Sequence, residues 1–165
     1  MSRAGQSPPQ VSVSGLRVRA VAAGSALAEL GLRPGDVIRA IDGLVPRDVI
    51  DVQLELPGAR QIVVEGADGR RRVHRMPTPM PAAAGVEFEE PVPGGIRECN
   101  NHCEFCFIRG LPPGLRETLY VFDDDYRYAF LWGNFLTLTN LSEPDWARRG
   151  SWASPTWIPG CCTER

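Results

Sequence analysis

Three of the chain's five cysteines fall together, in Cys99-Asn100-Asn101-His102-Cys103-Glu104-Phe105-Cys106, and none precedes them. Thiols in the spacing C-x3-C-x2-C can meet only if the backbone wraps as a loop around one centre. Soft sulfur ligands select iron–sulfur clusters or zinc. A structural zinc site is closed by four ligands. Three cysteines leave one position open, and an open iron on a [4Fe-4S] cluster is a place to bind a substrate or cofactor. Two alternatives stand beside this one: zinc completed by His102, which sits between two of the ligands, and cysteines without metal. A secreted disulfide framework spreads an even number of cysteines through a small domain. The clustering here fits metal ligation in a reducing cytoplasm instead. Any fourth thiolate would have to come from Cys161 or Cys162.

The length of 165 residues suits one domain or two small ones. An apolar content of 43% and a charged content of 23% are globular values. The net charge of −2 argues against nonspecific nucleic-acid binding, which needs a basic surface. No window approaches the ~20 apolar residues of a membrane span. Met1 to Gln10 lacks the apolar core of a signal peptide.

Residues 11–76 read as one small mixed domain. Leu16 to Val21 alternates apolar and polar, as a strand with one buried face does. Ser25 is placed to cap a short helix from Ala26 to Leu30, with Gly31 at its end. Pro34-Gly35-Asp36 is a turn, Val37 to Ile41 a strand, and Asp42-Gly43 its stop. Asp48 to Leu56 is predicted as a helix. Ile62 to Glu65 and Arg72 to Met76 flank Ala67-Asp68-Gly69-Arg70, a hairpin signal. Five prolines then punctuate residues 77–95, which read as a linker with one short strand, Val86-Glu87-Phe88.

The series Gly24-Ser25-Ala26-Leu27-Ala28, Gly31 to Ile38 and Ile41-Asp42-Gly43 resembles a PDZ domain. The resemblance implies capture of a peptide terminus, the peptide extending the sheet, here between the first strand and the 48–56 helix. The plainer reading is a packing scaffold that docks within the chain. Only Met1 to Ser14 precede the first strand, and they are too polar and Pro-broken to supply the early strand such a site uses.

The cysteine spacing, with an aromatic residue just before the last Cys, resembles the radical SAM superfamily. The match narrows over Phe107 to Arg116, Thr118-Leu119-Tyr120, Asp123 to Leu131 and Gly133 to Leu141. Together with the upstream domain it looks like the bacterial family of PDZ-containing radical SAM proteins with a DUF512 domain. Ile108-Arg109-Gly110 departs from that family's pattern after the last Cys. The resemblance implies a [4Fe-4S] cluster on Cys99, Cys103 and Cys106, and S-adenosylmethionine as the partner that is cleaved reductively, with the substrate unnamed. It puts Phe105 beside the adenine. It puts Thr139 and Asn140 near the methionyl group, at the end of a strand over Phe135 to Leu138; the other reading makes them a helix cap before Ser142-Glu143-Pro144. Asp123-Asp124-Asp125 reads as a charged turn with Arg116 and Arg127 as candidate partners. Tyr120, Tyr126, Phe130 and Phe135 read as core. The expected fold class is α+β: a small PDZ-like domain (11–76), a linker (77–95), the first part of a radical SAM α/β partial barrel (96–146), and a divergent tail (147–165) without helical or strand period. That predicts an incomplete chain, too short for an active barrel enzyme.

Overall fold

The computed structural model describes residues 15–76 and 85–152, the side chains of 149–152 excepted. The chain divides into two compact units at Gly95. The fold class is α+β, as expected.

In the first unit, β1 (Leu16–Val21), β2 (Val37–Ile41), β3 (Gln61–Glu65), β4 (Arg71–Arg75) and β5 (Val86–Phe88) form one antiparallel sheet in the order β4-β3-β2-β1-β5. Period-two alternation buries Leu16 and Val18 and exposes Arg17 and Arg19. Two helices complete the core. In α1 (Ala26–Glu29), the Ser25 hydroxyl accepts the Ala28 amide at 3.2 Å. In α2 (Val49–Glu55), the Asp48 carboxylate accepts the Ile50 and Asp51 amides. Leu27, Val52 and Leu56 pack with Ile38, Ile41, Ile62 and Val64 of the sheet. The Asp42 carboxylate receives the Arg60 and Gln61 amides, which pins the turn after β2 to the start of β3.

The Pro-punctuated stretch contributes more than a connection. β5 pairs along β1 with Val18 opposite Phe88 and Val21 opposite Val86. Phe88 is 5% exposed and belongs to the core cluster. The strand that residues 1–14 seemed unable to supply upstream comes from downstream. Residues 1–14 and 77–84 lie outside the described residues. Gly85 makes the entry into β5 possible: its φ is +66°, and a Cβ there would stand 2.6 Å from the Ser25 Cβ.

The second unit contains α3 (Tyr126–Trp132), α4 (Glu143–Trp152) and a 3₁₀ turn at Glu117–Tyr120. A short antiparallel bridge joins Glu98 to Asp123. Two expectations are corrected here. The strand over Phe135 to Leu138 does not form. Leu138 has a φ of +64°, outside the extended region, and the Thr137 amide donates to the Asp124 carboxylate rather than to a ladder. The segment after Trp146, read as aperiodic, continues α4 to Trp152. Its start is set by Ser142, whose amide and hydroxyl both donate to Asp145 Oδ2, at 3.0 and 2.5 Å, so the Asp145 carboxylate reaches back and satisfies the amide that precedes the helix. Among the described residues no helix is long and apolar enough to cross a membrane.

Candidate metal centre

The cysteine loop leaves the short bridge at Cys99, whose amide donates to the Phe122 carbonyl at 2.7 Å. It turns tightly after Cys103, with the Cys106 amide on the Cys103 carbonyl at 3.3 Å and the Gly110 amide on the Cys106 carbonyl at 3.0 Å. Arg109 closes the loop: its guanidinium donates to the Asn101 carbonyl at 3.1 Å and lies over the Phe122 ring. All three cysteines are free thiols, Cys103 exposed and Cys99 and Cys106 partly so. Their chemistry suits a soft metal or an iron–sulfur group. Among the described residues, however, no group of three His, Cys, Asp or Glu side chains is gathered to hold a metal ion. His102 is exposed, and the Phe105 ring is 96% exposed. Cys161 and Cys162 lie outside the described residues.

Thr139 and Asn140 are brought to this loop. Asn101, between Cys99 and Cys103, donates its side-chain amide to the Thr139 hydroxyl at 2.7 Å. Asn140 donates to the carbonyls of Glu98 and Asp124, at 3.2 and 3.1 Å. Its Oδ1 is buried and has no hydrogen-bond partner. Neither residue caps α4; Ser142 does that.

The three consecutive aspartates are more than a charged turn. Asp124 and Asp125 are almost fully buried, because each has its own donors. Asp125 caps α3 by accepting the Arg127 amide at 2.9 Å, and it pairs with the Arg127 guanidinium at 2.6 Å. Burial pushes its pKa up, but Arg127 prevails and the net shift is down. Asp124 accepts the amide and the hydroxyl of Thr137, both at 2.6 Å. Asp123 accepts from the Asn134 side chain, through Nδ2. Of the two candidate arginines, Arg127 is the partner; Arg116 is an exposed residue at the start of the 3₁₀ turn.

A second polar cluster surrounds Tyr126, which is buried as expected. The Arg97 guanidinium lies 5.1 Å from its ring centroid and donates to Asp145 at 2.7 Å. Arg148 donates to the Tyr126 hydroxyl at 3.1 Å. For Asp145 burial opposes ionisation, yet the bonds from Arg97 and Ser142 hold its carboxyl well below the usual carboxylate range. Burial raises the Tyr126 phenol. Two core expectations fail. Phe135 is 80% exposed, and Tyr120 locks the loop before it, its hydroxyl donating to the Pro112 carbonyl and accepting the Leu115 amide.

In the first unit an apolar groove of about 380 Å³ runs between α2 and the β1–β5 edge, lined by Val21, Val49, Val52, Leu56 and Val86. β1 is already paired on both sides, so an added strand there would pair with β5, not with β1.

Sequence reasoning missed Asn101, Arg109, Thr137, Arg97 and Arg148. Each acts through a contact to a residue distant in sequence or through a backbone atom, and neither leaves a pattern.

Comparison with known families finds two regions whose bounds differ from those of the two compact units, the second of them taking in β5. Residues 17–65 match the PDZ domain, and residues 80–156 match a radical SAM-like domain, running past Trp146 and over α4. No curated protein and no solved structure matches the chain.

Proposed function

We propose that this chain is a radical SAM protein of the PDZ-containing DUF512 kind, in which Cys99, Cys103 and Cys106 hold a [4Fe-4S] cluster. The observation that carries the reading is the set of three free thiols on one loop, inside the radical SAM-like match, with Thr139 hydrogen-bonded between two of them. When bound, such a cluster supplies the open iron for S-adenosylmethionine and the electron for its reductive cleavage, an oxidoreductase chemistry. The protein's part is to hold and orient. The exposed Phe105 ring offers a face for the adenine to stack on. The Thr139 hydroxyl and the Asn140 amide stand beside the loop as polar contacts for the methionyl end. Free thiols and such a cluster suit a reducing, cytoplasmic setting.

Anaerobic reconstitution tests this. The expected result is one cluster's worth of iron and sulfide per chain with a visible iron–sulfur absorbance. Cys99→Ala, Cys103→Ala or Cys106→Ala should each lose most of the iron, while Cys161→Ser with Cys162→Ser should not. A colourless protein retaining one zinc overturns the assignment.

The groove beside α2 favours a second role for the first unit, as a peptide-docking module in which an extended peptide adds to β5. Titration with a peptide ending in an apolar residue should shift backbone amide resonances of Gly85 to Phe88 and of α2. Shifts confined to β4 overturn it.

A further inference from the structure

We propose that Asp124 is a positioning residue for the cysteine loop, its buried carboxylate setting the direction of a hydrogen-bond relay that ends on Asn101. The consequence for iron rests on the iron–sulfur reading; the relay itself does not.

The direction follows from counting protons. A carboxylate only accepts, and a hydroxyl has one proton to give. Asp124 Oδ1 takes the Thr137 amide and Oδ2 takes the Thr137 hydroxyl proton, each at 2.6 Å. Thr137 therefore has no proton left for Thr139, whose hydroxyl lies 2.8 Å away. Thr139 must donate in that contact. Having given its only proton, Thr139 can only accept from Asn101 at 2.7 Å. The Asn101 amide is thus held with its Nδ2, not its Oδ1, toward Thr139. A carboxylate three hydrogen bonds distant decides which end of this amide faces Thr139.

A second arm starts from the same residue. The Asp124 carbonyl accepts Asn140 Nδ2, which also donates to Glu98, the residue before Cys99. Asp124 therefore reaches both the entry to the cysteine loop and its interior. The loop between Cys99 and Cys106 has no helix or strand of its own to order it. Contacts of this outer kind fix ligands for a metal, and losing one commonly costs 10- to 100-fold in affinity.

Asp124→Asn keeps the shape and breaks the logic. The new amide gives a proton to the Thr137 hydroxyl, which frees the Thr137 proton for Thr139 and the Thr139 proton for Asn101. The Asn101 amide is then no longer held in one orientation and is free to turn over. Because Asp124 is buried, the exposed Thr139 supplies a second pair of variants, Thr139→Val without the hydroxyl and Thr139→Ser with it. In the reconstituted full chain, iron release to a chelator should be about 10- to 100-fold faster in Asp124→Asn and Thr139→Val. Thr139→Ser should restore the wild-type rate, with thermal midpoints of the Thr139 variants unchanged. In the metal-free chain, the side-chain amide resonances of Asn101 should move in Asp124→Asn and Thr139→Val and stay in Thr139→Ser. Unmoved Asn101 resonances, or Thr139→Ser behaving as Thr139→Val, overturn the relay. Failure of the wild-type chain to take up iron overturns the iron–sulfur reading instead and leaves the resonance test of the relay standing.

Discussion

Replacing Phe88 with alanine in a fragment of residues 1–95 should remove a large share of its stability. The side chain is 5% exposed and lies in the core with Leu16, Val18 and Leu56. Truncating a buried Phe to Ala costs about 3–5 kcal/mol, from lost transfer energy and the cavity left behind. A unit of this size has in total roughly 4–12 kcal/mol of stability. At about 4–8 °C per kcal/mol, the midpoint falls by roughly 12 °C or more. The neighbouring ion pairs, Arg19–Glu87 at 2.8 Å and Arg17–Glu89 at 3.7 Å, are solvent-exposed. Each is worth only about 0–1 kcal/mol, so Glu87→Gln is the control that moves little. The assay is thermal melting followed by circular dichroism, with a fragment ending at Met76 beside it. That fragment lacks β5, leaves the β1 edge unpaired and opens the core at Phe88, so it should melt far lower or without cooperativity. A Phe88→Ala midpoint within a few degrees of wild type would refute the argument. So would equal midpoints for the two fragments.

Three further outcomes are expected. The Glu65 carboxyl is pulled from 4.5 down to about 2, chiefly by its hydrogen bond from Arg39 and then by that from Arg71; its contribution is complete above pH 4.5 and is lost as pH falls toward 2, so the urea midpoint of the first unit should drop across that window and Glu65→Gln should flatten the drop. Arg127→Met strands the buried Asp125 carboxylate and should destabilise the second unit by about 3–5 kcal/mol in denaturant titration followed by near-ultraviolet dichroism. Gly85→Ala forces a side chain into a positive φ and against Ser25, and should cost the first unit about 1–3 kcal/mol in the same titration.

The first unit was legible because its signals are local. Ser25 and Asp48 cap helices through amides two or three residues away, and Asp68-Gly69 closes a hairpin between adjacent strands. β5 was legible as a strand from Val86 to Phe88, but its place beside β1 was not, since three residues between prolines show too little alternation to mark a buried face. The second unit misled for a different reason. Phe135 to Leu138 read as a strand, but the Thr137 amide is taken by Asp124 and, among the described residues, no neighbouring strand competes for it. α4 showed no apolar period because its buried face is polar, with Asp145 and Arg148 one turn apart. Of the donors to the three adjacent aspartates, Arg127 was legible as a candidate partner, while Thr137 and Asn134 were not, because nothing in sequence marks their distant contacts. The cysteine motif was legible as a loop, while the residues that hold the loop were not.

The two units are held by different forces, and that difference bears on what each can do. Among the described residues the buried hydrophobic side chains lie in the first unit, with Tyr126 the exception. Apolar packing is tolerant of direction, which suits a scaffold that offers a groove. In the second unit the buried groups are Asp124, Asp125, Arg127, Asp145 and Arg148, joined through Thr137, Ser142 and Tyr126. A polar network is stringent: each donor must meet its acceptor, and one wrong proton leaves a buried group unpaired at a cost of about 1–3 kcal/mol. Such a network does little to collapse a chain, but it fixes the course of backbone that has no sheet or helix to follow. The cysteine loop is backbone of that kind. Its entry is tied by Asn140 and its interior by Thr139, and both ties lead to Asp124. The aspartate that read as part of a charged turn is therefore the point from which the candidate metal loop is held.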